Sequence, residues 1–240
     1  MTTEYDLSND TEDEEDFWLP PLASVASRHI SLRSRGAGRS IIPAITGVPP
    51  RVRMIQCESI LESKCAVVML ARRDVVNLVE QPPAVAYFDE FEQRWKRHFF
   101  DFLADMADGS KMALAVRPKA RSEKVLDILK AIAGQVRGFA DAYVLVEDAD
   151  LPVAIVQNAE LILSARRDRD RTADATMRAI VRTLNGETTV ATLIKISGLK
   201  GAGYRAIARL IDEGDLEIGQ NTLIDYPATV WRPYMRNDAA

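Results

Sequence analysis

The sequence predicts an α/β domain with a mixed sheet, followed by a small domain of three helices and a β-hairpin. Three observations support this prediction. Between residues 58 and 146, apolar residues recur first at helical and then at strand spacing, and both spacings are repeated. A charged run of arginine and aspartate at 166–171 interrupts the pattern. Beyond it, helical spacing returns three times before two short apolar runs separated by a glycine turn.

Composition limits the class of protein. The chain has 240 residues, 47% hydrophobic and 28% charged, which is ordinary for one large core and a small second domain. No apolar run approaches the roughly 18 residues that cross a bilayer, and the acidic N-terminus is unlike a secretory signal. Cys57 and Cys65 would stand about 12 Å apart along one helix, too far for a disulfide. We therefore expect reduced thiols in a cytoplasmic protein.

Charge is unevenly distributed along the chain. Residues 1–27 hold eight acids and no base, although the net charge is only −4. Six arginines between residues 28 and 53 then stand among Ser, Gly and Pro. We expect residues 1–50 to be an acidic tail and an arginine-rich linker, both largely disordered. The linker is either a simple connection or an arm that contacts phosphates.

The first predicted helix begins near Glu58. Glu62 follows one turn later, and position alone favours solvent-facing acids at both places. Strands are predicted next at 75–80 and 84–88, on either side of a Gln-Pro-Pro turn.

Residues 98–119 predict two strands joined by a polar turn. The first strand ends at Leu103, and the second, 112–116, is stopped by Pro118. Asp101 would lie inside the first, otherwise apolar strand. Because an unpaired carboxylate in a packed sheet costs several kcal/mol, Asp101 either binds a divalent cation or lies at a sheet edge beside water or an arginine.

A parallel crossover completes the first domain. A helix from Ser122 to Gly138 leads to an apolar strand at 142–146, and a strand, helix and strand in this order predict parallel pairing. The charged run 166–171 marks the boundary. The domains are therefore 51–165 and 166–240.

The second domain has the outline of a winged helix-turn-helix, whose third helix enters the major groove of DNA. The exposed positions predicted on that helix include Arg205 and Arg209, one turn apart, with Lys200 just ahead. These side chains can bind phosphates or guanine edges. Winged-helix modules also dock proteins, so this alternative stays open.

Four short motifs point to a family. Residues 57–62 read CESILE, 80–82 read EQP, 100–102 read FDF and 115–118 read AVRP. In order and spacing they resemble the ESxLE, EQP, PDF and (E/Q)VKP motifs of TnsA-type endonuclease subunits of heteromeric transposases. The resemblance covers about residues 53–165. It implies a PD-(D/E)xK restriction-endonuclease-like nuclease domain followed by a small winged-helix domain.

The resemblance also implies a chemistry, metal-dependent hydrolysis of a DNA phosphodiester at transposon ends. Glu62 and Asp101 would be catalytic carboxylates that bind Mg²⁺ or Mn²⁺, and the carbonyl of Val116 would be a further ligand. Arg117 would hold the scissile phosphate. The implied partners are double-stranded DNA, a DDE-type transposase subunit and an ATPase regulator. The implied location is the bacterial cytoplasm, in association with the nucleoid.

Two residues depart from the family pattern. Ala115 replaces an expected side-chain ligand, and Arg117 replaces a lysine with a group that cannot accept a proton from water. Lys111 and Lys119 are the lysines considered as replacements for it. The alternative function is therefore a catalytically impaired relative that binds DNA and a transposase. A third hypothesis is a winged-helix transcription regulator with an unrelated α/β domain.

Overall fold

The structure is a computed structural model that describes residues 20–28 and 38–233. The strands of these residues are β1 (Ser40–Thr46), β2 (Arg51–Cys57), β3 (Val75–Glu80), β4 (Val85–Asp89), β5 (Arg94–His98), β6 (Phe102–Met106), β7 (Lys111–Val116), β8 (Ala142–Val146), β9 (Glu187–Thr189), β10 (Glu217–Ile218) and β11 (Thr229–Trp231). The helices are α1 (Ile60–Ala71), α2 (Glu123–Gln135), α3 (Val153–Arg167), α4 (Arg171–Arg182), α5 (Val190–Ser197) and α6 (Lys200–Glu213). No helix in the described ranges is long and apolar enough to cross a membrane.

The fold is mixed α/β. The main sheet has the strand order β3-β6-β7-β8, antiparallel except for the parallel pair β7 and β8. Helix α2 connects these two parallel strands, so the predicted crossover is confirmed. The predicted strands at 75–80 and 142–146 are also confirmed, residue for residue.

Helix α1 begins at a cap built from Ser59. Its hydroxyl accepts a hydrogen bond from the Glu62 N–H, which would otherwise be unpaired at the helix start. Cys65, Met69 and Leu70 are buried, and they share one core with buried residues of β2, β3, β6 and β7. This cap and this apolar face place Glu62 at the edge of the main core.

Helix α3 links the two halves of the chain. It packs against α1 on one side and α6 on the other. Beyond it, α4, α5 and α6 surround a second apolar core, and the three-stranded antiparallel sheet β10-β11-β9 lies beside them. Helix α5 ends at Gly198 and helix α6 at Gly214, and both glycines have a left-handed backbone, which glycine adopts without strain.

The structure corrects the end of the segment 1–50, which was predicted to be largely disordered. Residues 1–19 and 29–37 of that segment lie outside the described residues, but 40–46 form strand β1, which pairs antiparallel with β2. Pro43 and the neighbouring arginines made this strand look like a linker. It forms because Ala44 and Thr46 are buried when it pairs with β2.

Two strand boundaries also differ from the prediction. His98 ends β5, and Asp101 precedes β6 instead of lying inside a strand. The two apolar runs predicted to form a β-hairpin, 216–218 and 222–224, do not pair with each other, since β10 pairs with β11. Both Thr222 and Ile224 instead hydrogen-bond the side-chain amide of Asn158, at 2.8 Å each. An amide from α3 thus takes the place of a neighbouring strand.

Candidate functional site

Asp101 lies buried where β6 begins, and its carboxylate is already paired. The Oδ2 atom accepts hydrogen bonds from the Val116 N–H at 2.7 Å and from Arg117 Nη1 at 2.6 Å. Burial raises the pKa of Asp101, and the Arg117 guanidinium and the Val116 N–H oppose that rise. Of the positions predicted for Asp101 at a sheet edge, the one beside an arginine therefore describes the structure better than the one that faces water.

Glu62 is a buried acid in the first turn of α1, contrary to the solvent-facing position predicted for it. Its carboxylate accepts hydrogen bonds from the Glu58 N–H at 2.8 Å and the Ser59 hydroxyl at 3.0 Å. Burial raises the pKa of Glu62, and the charge of Asp101 raises it further. Burial thus raises the pKa of both Glu62 in α1 and Asp101 just before β6.

Arg117 hydrogen-bonds two of the oxygens that the family resemblance assigns to a metal ion. Its Nη1 atom is 2.6 Å from Asp101 Oδ2 and 2.6 Å from the carbonyl oxygen of Val116. The guanidinium side chain is 29% exposed, so it remains open to solvent on one side. The Arg117 guanidinium, which always carries a positive charge, thus binds Asp101 and Val116, two of the three residues that the resemblance implies as metal ligands.

Three features of the described residues count against a Mg²⁺ or Mn²⁺ site. Within residues 20–28 and 38–233, no three His, Cys, Asp or Glu side chains converge in a way that could hold a metal ion. Ala115 is fully buried and has no ligand atom in its side chain. A divalent cation beside Asp101 and Val116 would also meet the positive charge of Arg117.

The two lysines considered as replacements point elsewhere. Lys111 pairs with Asp105 at 3.3 Å, and Lys119 pairs with Glu147 at 2.9 Å. Neither contacts Asp101, so Arg117 remains the basic group of the site.

His98, the last residue of β5, is a buried neighbour of the site. Its ring packs edge-to-face on Phe100 with centroids 4.7 Å apart. Burial, with a contribution from the charge of Arg117, lowers the pKa of His98 to about 4. The imidazole is therefore neutral at pH 7.

Gln81 is a site residue to which the sequence analysis gave no role. Its side-chain Nε2 faces Asp101 Oδ1 at 3.5 Å, and its backbone N–H donates to the Asp101 carbonyl at 2.8 Å. Its backbone is left-handed, with φ of 43°, which is uncommon for a residue other than glycine. The EQP motif was the sequence signal that pointed to Gln81.

The structure brings all four motifs together around Asp101. Gln81 of the second motif, and Val116 and Arg117 of the fourth, hydrogen-bond the Asp101 carboxylate, while Glu62 of the first interacts with its charge. The four motifs are spread along the chain from residue 57 to residue 118. The site is therefore assembled by the main sheet and α1 together.

The three basic residues predicted to contact DNA from α6 do not lie on one exposed face. Lys200 is exposed at the start of the helix, and Arg205 is exposed and paired with Asp168 at 2.9 Å. Arg209 is buried, so its predicted exposure is wrong. It hydrogen-bonds Asp174 and two carbonyl oxygens at the end of α3.

Compared with models of protein families and with the sequences of curated proteins, the chain matches none of them.

Proposed function

We propose that this protein is a TnsA-like subunit of a heteromeric transposase that binds double-stranded DNA at transposon ends without cutting it. In this proposal residues 51–165 are a PD-(D/E)xK nuclease domain whose metal has been replaced by a guanidinium, and 166–240 are a winged-helix domain. The partners are a DDE-type transposase subunit and an ATPase regulator. The observation behind it is the position of Arg117 between Asp101 Oδ2 and the Val116 carbonyl.

The site supports phosphate binding better than hydrolysis. Arginine carries five N–H donors in a planar fork that matches phosphate geometry, and it stays charged at any relevant pH. Asp101 and Val116 orient the guanidinium of Arg117, and its exposed side is free to meet a DNA backbone. Lys200 and Arg205 supply further positive charge on the second domain.

Metal-dependent cleavage is the second candidate function. One observation favours it: Glu62 and Asp101 are two buried carboxylates from different elements, and the charge of Asp101 contributes to raising the pKa of Glu62. In that case Glu62 and Asp101 would be the catalytic acids, and Arg117 would bind the scissile phosphate.

A cleavage assay separates the two candidates. The purified wild type is incubated with supercoiled plasmid and transposon-end duplexes in Mg²⁺ or Mn²⁺, with and without the candidate transposase. We expect DNA binding without nicking. We expect the double substitution Ala115→Gln with Arg117→Lys, which rebuilds the family motif, to gain metal-dependent nicking that Asp101→Ala abolishes.

Two results would overturn the proposal. Metal-dependent nicking by the wild type that disappears in Asp101→Ala would establish the second candidate. Absence of DNA binding by the wild type, with and without the transposase, would contradict both candidates.

A further inference from the structure

A segment ahead of β1 crosses the edge of the site, and we name residues 20–28 the strap. Leu22 pairs with β2: its N–H donates to the Val52 carbonyl at 2.8 Å, and its carbonyl accepts from Met54 at 3.0 Å. The strap thus extends the β1–β2 sheet by one short parallel bridge. It ends at Arg28, beside the second motif.

A buried carboxylate anchors the middle of the strap. Glu80 is fully buried, and its Oε1 accepts hydrogen bonds from the Ser24 hydroxyl at 2.5 Å and the Val25 N–H at 3.2 Å. Its other oxygen lies 3.8 Å from the guanidinium of Arg53. Because a buried charge is costly without partners, Glu80 holds the strap in place as part of the folded site.

The strap brings a second guanidinium to the site. The Ser27 N–H donates to the Gln81 carbonyl at 2.9 Å, which places Arg28 over the Gln81 side chain. The Arg28 guanidinium donates to Gln81 Oε1 at 3.0 Å and 2.7 Å, and it pairs with Glu58 at 2.5 Å. It also lies 5.7 Å from the centre of the Phe99 ring.

Gln81 connects this guanidinium to the centre of the site. Its Oε1 accepts from Arg28, while its Nε2 faces Asp101 Oδ1 at 3.5 Å. Arg117 holds the other oxygen of Asp101. Two guanidinium groups therefore flank one carboxylate, Arg117 directly and Arg28 through an amide.

We infer that Arg28 binds a backbone phosphate of the nucleic acid, beside the phosphate-binding Arg117, and that Glu58 occupies Arg28 in the free protein. This inference rests on the proposed DNA-binding function. The Arg28 side chain is 41% exposed, so DNA has access to it. The Glu58 carboxylate makes no other hydrogen bond or ion pair within the described ranges, so a phosphate that replaces it on Arg28 disrupts no further contact.

The exchange of Glu58 for phosphate is energetically reasonable. A solvent-exposed ion pair contributes little to stability, whereas a guanidinium binds a phosphate through two parallel hydrogen bonds and releases counterions from DNA. The hydrogen bond from Arg28 Nε to Gln81 Oε1 does not involve Glu58, so the exchange leaves it in place. The strap thus presents an oriented arginine instead of a flexible one.

Salt-dependent DNA binding tests this role. Affinity for a fluorescently labelled transposon-end duplex is measured by anisotropy over a range of KCl concentrations for the wild type, Arg28→Gln, Glu58→Gln and the control Arg137→Gln. Arg137 is an exposed arginine beyond the end of α2 whose guanidinium contacts the Ala133 carbonyl. We expect Arg28→Gln to bind several-fold more weakly, with a log–log salt slope shallower by about 1. We expect Glu58→Gln to bind more tightly than the wild type, and the control to match the wild type.

The outcomes are distinguishable. A wild type that binds DNA, with an unchanged slope in Arg28→Gln, would overturn the role of Arg28 and leave the proposed function standing. A wild type that does not bind DNA would overturn both. Urea unfolding of Arg28→Gln runs in parallel, since a purely structural role for Arg28 would lower the free energy of unfolding without changing the salt slope.

Discussion

Two arginine–aspartate pairs, one in each half of the chain, make the same kinds of contact but differ in their exposure to solvent. Arg117 binds Asp101 and the Val116 carbonyl, and its side chain is 29% exposed. Arg209 binds Asp174 and the carbonyl oxygens of Ala165 and Asp168, and its side chain is 4% exposed. The first guanidinium opens to solvent, whereas the second joins α3, α4 and α6.

The difference teaches that burial, not the pairing itself, decides what an arginine can do. A guanidinium enclosed by helices offers no donors to a phosphate, because its neighbours already surround it. A guanidinium held on one side keeps donors for a ligand. Arg117 is therefore a binding residue in our proposal, and Arg209 is a structural link between helices.

Breaking the Arg209 pair should have the largest effect. We expect Arg209→Met to lower the free energy of unfolding by about 3–5 kcal/mol, because Asp174 and two carbonyl oxygens would lose a buried partner. Urea denaturation measures this, with Arg205→Met as the matched control from an exposed pair on the same helix, expected to cost less than about 1 kcal/mol. Equal losses in the two variants would refute the distinction between the pairs.

Lowering the pH should reduce the stability of the half of the chain that contains Arg117, because the buried His98 lies near Arg117. Burial lowers the pKa of His98 from its ordinary value of 6.5 to about 4 in the folded protein. Its contribution to stability is therefore complete above pH 6.5 and is lost as the pH falls from 6.5 through 4, by about 3 kcal/mol. We expect His98→Phe to lose about that much less stability than the wild type between pH 7 and pH 4, measured by urea denaturation at both values. Parallel losses in the two proteins would show that His98 does not titrate this way.

Breaking the Arg117 pair should have a smaller effect than breaking that of Arg209. We expect Arg117→Met to cost about 2 kcal/mol at pH 7, since the pair is partly exposed and water can solvate what remains. Arg117 opposes the burial that raises the pKa of Asp101, so the variant should raise that pKa further. The deficit should then shrink as the pH falls through the pKa of Asp101 and the carboxylate takes up a proton.

A double-mutant cycle isolates this pair. Adding Asp101→Asn to Arg117→Met should recover part of the lost stability at pH 7, because no unpaired charge stays buried. Strictly additive losses from the two substitutions would mean that the pair contributes no coupling energy.

The sequence by itself determined most of the secondary structure. Local spacing predicted β3, β8 and their parallel crossover, and glycines marked the ends of α5 and α6. These features depend on residues only a few positions apart, so one stretch of chain contains all the information. The four motifs likewise named Glu62, Asp101, Val116 and Arg117 before any contact was known.

Only the tertiary structure decided what those side chains touch. Arg205 and Arg209 stand one turn apart, yet packing against α3 encloses the second and leaves the first in solvent. The position of Arg117 over Asp101 and the strap over Glu80 depend on segments brought together from far along the chain. Burial and the choice of hydrogen-bond partner are set by these distant neighbours, which no local spacing encodes.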